Sequence, residues 1–180
     1  MGKVNRGKQF EDVIQKAFEK VSNISVTRLH DQTTGFKGST NPCDFLVFHK
    51  PYLYAIETKS VHGNTFPIYS KPKRDKHGVL HGFYGNVTDF QWKALLEMSQ
   101  VRGVHAGIIV WFIDKDETLF LDIRLLERWR NAGHKSIHSY PEWIEYVQGK
   151  HDWCYVVGRK KRIFWEYNMV QFLREMEDNK

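Results

Sequence analysis

Apolar residues recur at helical spacing near the start of the chain and at strand spacing soon afterwards. Phe10, Val13, Ile14, Ala17, Phe18 and Val21 fall on one stripe, which predicts an amphipathic helix over about residues 5–22. Glu11 lies three residues before Ile14 and seven before Phe18, so it borders that stripe rather than the solvent face. Asn23 ends the helix, and residues 24–29 alternate as a strand. A polar, Gly-containing connection over residues 31–40 leads to two β-rich runs around a turn at His49, Lys50 and Pro51, a hairpin pattern. Strand alternation places Leu53, Ala55, Glu57 and Lys59 on one face and Tyr54, Ile56 and Thr58 on the other.

The pattern changes over residues 61–86. Gly63, Pro67, Pro72, Gly78, Gly82 and Gly85 interrupt any regular element there, which predicts a long loop. Thr88 or Asp89 is placed to cap a helix over residues 90–100, with Trp92, Leu95, Leu96 and Ser99 inward. Residues 104–113 are almost continuously apolar, as in a central strand buried on both faces. A polar turn at 114–117 then precedes an edge strand at 118–121. Short helices at 123–131 and 141–147 follow, then a second hairpin from residues 153–157 and 162–165 with a basic turn between them. A helix over 168–176 closes the series. With no repeat and no linker, the 180 residues read as one domain, an α/β sandwich with helices flanking a central mixed β-sheet.

Hydrophobic content of 41% and aromatic content of 14% are ordinary for a globular protein. The formal net charge of +6 and the pI near 9.2 favour polyanionic partners, nucleic acid first. Cys43 and Cys154 lack CxxC spacing, and the nine histidines lack HxH or HExxH spacing, so neither a zinc site nor a disulfide framework is expected. The N-terminus shows no apolar signal region, position 6 is Arg rather than the Ser or Thr of a myristoylation motif, and no run has the length of a membrane span. These features predict a soluble, cytoplasmic protein in a reducing compartment, with no membrane partner.

Asp44 leads into the hairpin, and Glu57 and Lys59 project side by side from its second strand. Two carboxylates and an amine suit a site for Mg²⁺, with Mn²⁺ as a substitute, because hard cations need only one or two carboxylates and keep several waters. The Thr58 backbone carbonyl is placed as a third ligand, Lys59 can orient water or stabilise a phosphoryl transition state, and Glu11 can complete the cluster. Isolated carboxylates and lysines at this spacing are usually surface charges. Here the apolar strand, the shared face of Glu57 and Lys59, the border position of Glu11 and the basic chain together favour a site.

The segments Asn5-Arg6-Gly7, Phe10-Glu11, Asp44-Phe45, Ala55-Ile56-Glu57-Thr58-Lys59, Thr65-Phe66-Pro67-Ile68 and Gln91 carry a more specific resemblance. Over roughly residues 5–113 the chain resembles the PD-(D/E)XK nuclease superfamily, and within it the RecU-type Holliday junction resolvases. The resemblance implies a restriction-endonuclease-like core. It also implies that Asp44 and Glu57 bind the metal, that Lys59 is catalytic, and that Glu11 and Gln91 support the site. Two departures stand out. The stalk that the cellular members insert before the hairpin has at most residues 31–40 to occupy, a reduction that suits a virus-encoded form. The basic loop at about 67–86 is instead longer than the family leads one to expect.

In that loop Lys71, Lys73, Arg74 and Lys76 read as a phosphate-contacting arm, with Arg6 as a further DNA contact. Phe83 or Tyr84 is placed to stack on an unpaired base. Arg128, Arg130 and Lys135 read as solvated helix-end charges. The expected function is a Mg²⁺-dependent endodeoxyribonuclease that resolves four-way (Holliday) junctions by paired symmetric nicks, working as a homodimer because the junction itself is two-fold symmetric. The alternatives are a sequence-specific restriction-type endonuclease and a non-catalytic DNA-binding protein on a nuclease fold.

Overall fold

A computed structural model describes residues 6–29, 41–68, 73–74, 77–78, 80–81, 83–84, 86–139, 142–161 and 165–177. The first helix, α1 (Arg6–Phe18), leads into strand β1 (Ile24–Arg28), and the hairpin follows as β2 (Phe45–His49) and β3 (Tyr52–Val61). Short strands β4 (Thr65–Pro67), β5 (Lys73–Arg74), β6 (Leu80–His81), β7 (Phe83–Tyr84) and β8 (Val87–Thr88) precede α2 (Asp89–Ser99). Then come β9 (Val104–Phe112), β10 (Glu117–Asp122), α3 (Ile123–Asn131), β11 (Ser136–His138), β12 (Trp153–Tyr155), β13 (Gly158–Lys160), β14 (Trp165–Tyr167) and α4 (Met169–Glu177).

Among the described residues the central sheet has six strands in the order β1-β2-β3-β9-β10-β12. Only the β3–β9 pair within it is parallel, so the sheet is mixed. The parallel step requires a crossover, and α2 supplies its helix. Alternation along the central strands then feeds two apolar layers. Ala55, Ala106, Ile108 and Val110 pack with Trp92 of α2 and Leu125, Leu126 and Trp129 of α3. Tyr54, Ile56, Ile109 and Phe120 pack on the opposite face with Phe10, Ile14 and Phe18 of α1 and Phe172, Leu173 and Met176 of α4. The α/β architecture, a central mixed sheet flanked by helices, is thus the one expected. No helix among the described residues is long and apolar enough to cross a membrane.

Several local expectations are corrected. The first helix stops at Phe18, and the chain reaches β1 through a turn in which Asn23 adopts φ 60°. β10 is not an edge strand, because β12 adds outside it through Leu119–Tyr155, Phe120–Cys154 and Leu121–Trp153. The second hairpin is shifted: β12 joins the main sheet, and β13 pairs with β14, so Arg159 and Lys160 lie in a strand rather than a turn. Residues 61–86 are not devoid of regular structure. β4 pairs with the distant β11, β5 with β6, and β7 with β8. The helix expected at 141–147 is a 3-10 turn at Glu142–Tyr146, anchored by the buried Trp143 through its indole N–H to the His138 carbonyl. Arg128 is not a solvated charge, since it donates to Asp152 and to the Tyr146 carbonyl, and Arg130 pairs with Glu127 and lies over the Trp92 ring.

One glycine is dictated by close approach. A Cβ on Gly107 of β9 would stand 2.4 Å from the Leu121 carbonyl oxygen and 2.7 Å from the Phe120 ring, both of β10. Backbone cannot yield as a flexible side chain does, so Gly107→Ala is expected to lower stability by about 1–3 kcal/mol, read from the denaturant midpoint.

Candidate active site

The site forms where β3 runs past the end of β2. The last β2–β3 pair is Phe45 with Ile56, so from Glu57 onward β3 has β9 on one side and no β2 partner on the other. Asp44, one residue before β2, fills this gap. Its amide donates to the Ile56 carbonyl at 3.1 Å, and its own carbonyl accepts from the Leu29 amide at 2.8 Å. Its carboxylate Oδ2 accepts from both the Thr58 amide and the Thr58 hydroxyl, each at 2.7 Å. The N–H and C=O of a strand residue point to the same side, so the Thr58 carbonyl faces the open side with its amide.

Glu57 is fully buried. Its Oε1 accepts from the Lys59 ammonium and, at 2.8 Å, from Gln91 Nε2, whereas its Oε2 is buried with no hydrogen-bond partner among the described residues. Gln91 reaches it because the start of α2 is fixed by a capping box. Thr88 is the cap, its hydroxyl accepts from the Gln91 amide at 3.2 Å, and Gln91 Oε1 accepts from the Thr88 amide at 3.2 Å. With Oε1 spent on the cap, the Gln91 side chain turns its NH₂ toward Glu57. Of the two capping candidates in the sequence, Thr88 is the one used.

Glu11 comes from α1 and neighbours the same charges. Its Oε2 accepts from Arg28 at 2.5 Å, and burial, followed by the nearby Asp44 charge, raises its pKa against the lowering by Arg28 and Lys59. Arg28 was not singled out from the sequence. It ends β1, its side chain is largely buried, and it also donates to Asp12 at 2.5 Å and to Gln15 at 3.2 Å. The signal was present: a lone cation closes an otherwise uncharged strand, and the helix before it carries two adjacent acids. Arg28→Met is expected to cost about 1–2 kcal/mol, a buried-pair value reduced for the exposure of Asp12. Urea unfolding checks it, and Arg28→Lys should recover only part, because one ammonium cannot span both acids as the guanidinium does.

Burial lowers the Lys59 pKa, but the charge and hydrogen bond of Glu57 and the charges of Asp44 and Glu11 outweigh it, and the net shift is upward. Lys59 therefore stays an ammonium at neutral pH and offers a cation, not a base. For Glu57 burial wins. Together with the Asp44 charge it pushes the carboxyl from its ordinary 4.5 up to about 7, although Lys59 and Gln91 pull it down. Across that window the folded protein holds a proton that the unfolded chain releases. Stability from this group therefore falls as pH rises from about 4.5 to about 7, by up to about 3 kcal/mol. Melting ion-free protein across this range checks the sign, and Glu57→Gln should flatten the dependence.

The structure thus brings Glu11, Asp44, Glu57, Thr58, Lys59 and Gln91 together. Arg6 stands apart, exposed in the first turn of α1 near Asp114, which accepts from the Gly63 amide at 2.6 Å and pairs with His62 at 3.1 Å. Of the basic arm, Lys73 and Arg74 form the backbone of β5, while Lys71 and Lys76 lie outside the described residues. Among the described residues no three His, Cys, Asp or Glu side chains cluster to hold a metal ion. The donor set here is instead two carboxylates and a carbonyl, one carboxylate carrying a buried oxygen without a partner. That set fits a hard divalent ion that keeps its waters.

Comparison with models of known protein families finds no match, and comparison with curated protein sequences finds none either. Among solved structures the chain is similar to Hjc, a Holliday junction resolvase from the hyperthermophilic archaeon Archaeoglobus fulgidus. The TM-score is 0.47 at 14% identity, with 72% of this chain and 85% of that chain covered.

Proposed function

We propose that this chain is a Mg²⁺-dependent endodeoxyribonuclease with a restriction-endonuclease-like core, which resolves four-way junctions by paired symmetric nicks and works as a homodimer. The observation that carries the nuclease reading is the Glu57 carboxylate: fully buried, one oxygen without a partner among the described residues, beside a second carboxylate and a lysine that stays charged. A protein gains nothing in stability from that arrangement, and a buried carboxylate lacking a partner is costly. The junction reading and the RecU type rest on the sequence resemblance over roughly residues 5–113.

Asp44, Glu57 and the Thr58 carbonyl would hold the ion. Bound there, a divalent cation lowers the pKa of water and polarises the scissile phosphate. The protein's own groups do the rest. Thr58 fixes the Asp44 carboxylate, and Gln91 fixes Glu57 from the helix side. Lys59 keeps an ammonium beside the reacting phosphate, where negative charge grows in the transition state. Glu11, steadied by Arg28, accepts a hydrogen bond from the attacking water and keeps it oriented. Arg6, Lys73 and Arg74, with Lys71 and Lys76, serve as phosphate contacts that position the DNA without reading its sequence.

Purified protein given a synthetic four-way junction, a flap and a linear duplex with Mg²⁺ tests this. The expected result is symmetric paired nicks in the junction, no cutting in EDTA, and little cutting of linear duplex. Equal cutting of linear duplex would remove junction selectivity and leave a nuclease, and fixed sites on plasmid DNA would point to a restriction-type enzyme. No cleavage with Mg²⁺ or Mn²⁺ would overturn the catalytic reading.

A further inference from the structure

We infer that the Thr58 hydroxyl is a selectivity determinant that makes the site prefer a small octahedral cation over Ca²⁺, by restricting Asp44 to binding through a single oxygen. This rests on the metal reading above and extends it to the choice of ion.

The two carboxylates are dressed in the same way. On Glu57, Oε1 takes both donors and Oε2 takes none. On Asp44, Oδ2 takes both the Thr58 amide and the Thr58 hydroxyl at 2.7 Å, while Oδ1 accepts no hydrogen bond among the described residues. A carboxylate oxygen has two lone-pair positions, so two short hydrogen bonds occupy Oδ2 completely. Thr58 is itself almost fully buried, so water does not compete for its hydroxyl. Any residue but proline at position 58 could give the amide bond. The second bond belongs to the hydroxyl.

Mg²⁺ and Mn²⁺ accept single-oxygen ligands in a six-fold shell, whereas Ca²⁺ takes six to eight oxygens and readily binds a carboxylate through both. Without the hydroxyl, one lone pair of Oδ2 is free and Asp44 can offer both oxygens. Thr58 therefore acts as a positioning residue, through Asp44. A role confined to holding the fold together would change the melting temperature and weaken both ions alike.

The experiment titrates protein without DNA with MnCl₂ and with CaCl₂ in a calorimeter, for the wild type, Thr58→Ser, Thr58→Val and Thr58→Ala. Thr58→Ser is expected to keep the wild-type ratio of the two dissociation constants. Thr58→Val and Thr58→Ala should shift that ratio about tenfold toward Ca²⁺, the lower end of the effect of removing an outer hydrogen-bond partner of a ligand. Circular dichroism reports folding, and if Thr58→Val is unfolded, Thr58→Ala decides. An unchanged ratio in the folded variant overturns the inference while leaving the metal site intact. A wild type that binds neither ion overturns the metal reading and this inference with it.

Discussion

Asp44→Asn is expected to abolish cleavage, by at least about 10³-fold, while leaving the fold and the affinity for branched DNA in place. The amide oxygen can still accept from the Thr58 amide and hydroxyl, so the local geometry survives. What disappears is one negative charge beside Glu57. Two consequences separate this from a general loss of structure. Affinity for DNA comes mainly from basic phosphate contacts and should persist in EDTA. The Asp44 charge also helps to push the Glu57 pKa up, so the variant should ionise Glu57 more easily and melt at a higher temperature than the wild type above pH 7. Gel cleavage, gel shift and melting on one preparation read all three. Retained cleavage would remove Asp44 from the chemistry, and lost binding in a folded variant would mean that the site itself recruits DNA.

Lys59→Met is expected to lower cleavage about 10²- to 10³-fold, the scale of removing one fixed transition-state donor. It should also change the pH dependence, by a separate route. Lys59 lowers the Glu57 pKa through its charge and its hydrogen bond. Once it is gone, burial and the Asp44 charge act against Gln91 alone, and Glu57 becomes harder to ionise. Because a metal ligand must be deprotonated, the acid limb of the pH–rate profile should move upward and the ion concentration needed at neutral pH should rise. A uniform fall in rate with an unmoved profile would confine Lys59 to the transition state. A profile that shifts without a fall in the plateau rate would make it a guardian of Glu57 alone.

The sequence pattern located the hairpin, the central strand and the α2 cap because each has a local cause. Turn residues bound β2 and β3, continuous apolarity marks β9, and Thr88 with Gln91 three residues later forms a capping signature. The shared face of Glu57 and Lys59 follows from strand alternation alone. What escaped depends on partners far away in the chain. Nothing near Trp153–Tyr155 says that these three residues will extend the sheet beyond β10, and nothing near Thr65–Pro67 names Ser136–His138 as its partner. Arg28 escaped for the same reason: its importance lies in Glu11 and Asp12, which a turn of chain brings beside it. The unpartnered oxygen of Glu57 could not be read from sequence at all, because burial is a property of the packed layers.

The parallel pairing of β3 with β9 also bears on when the site comes into being. Asp44 and Glu57 sit on one hairpin and meet early, as local contacts do, while both are still hydrated. Their parallel neighbour is about fifty residues further along the chain, and long-range closures of this kind are slow. Glu57 loses its water only when β9 docks and α2 delivers Gln91. Ion affinity during refolding should therefore emerge in step with the docking of β9, well after the hairpin has formed, and a chain halted before that step would carry both acids yet behave as an ordinary acidic turn.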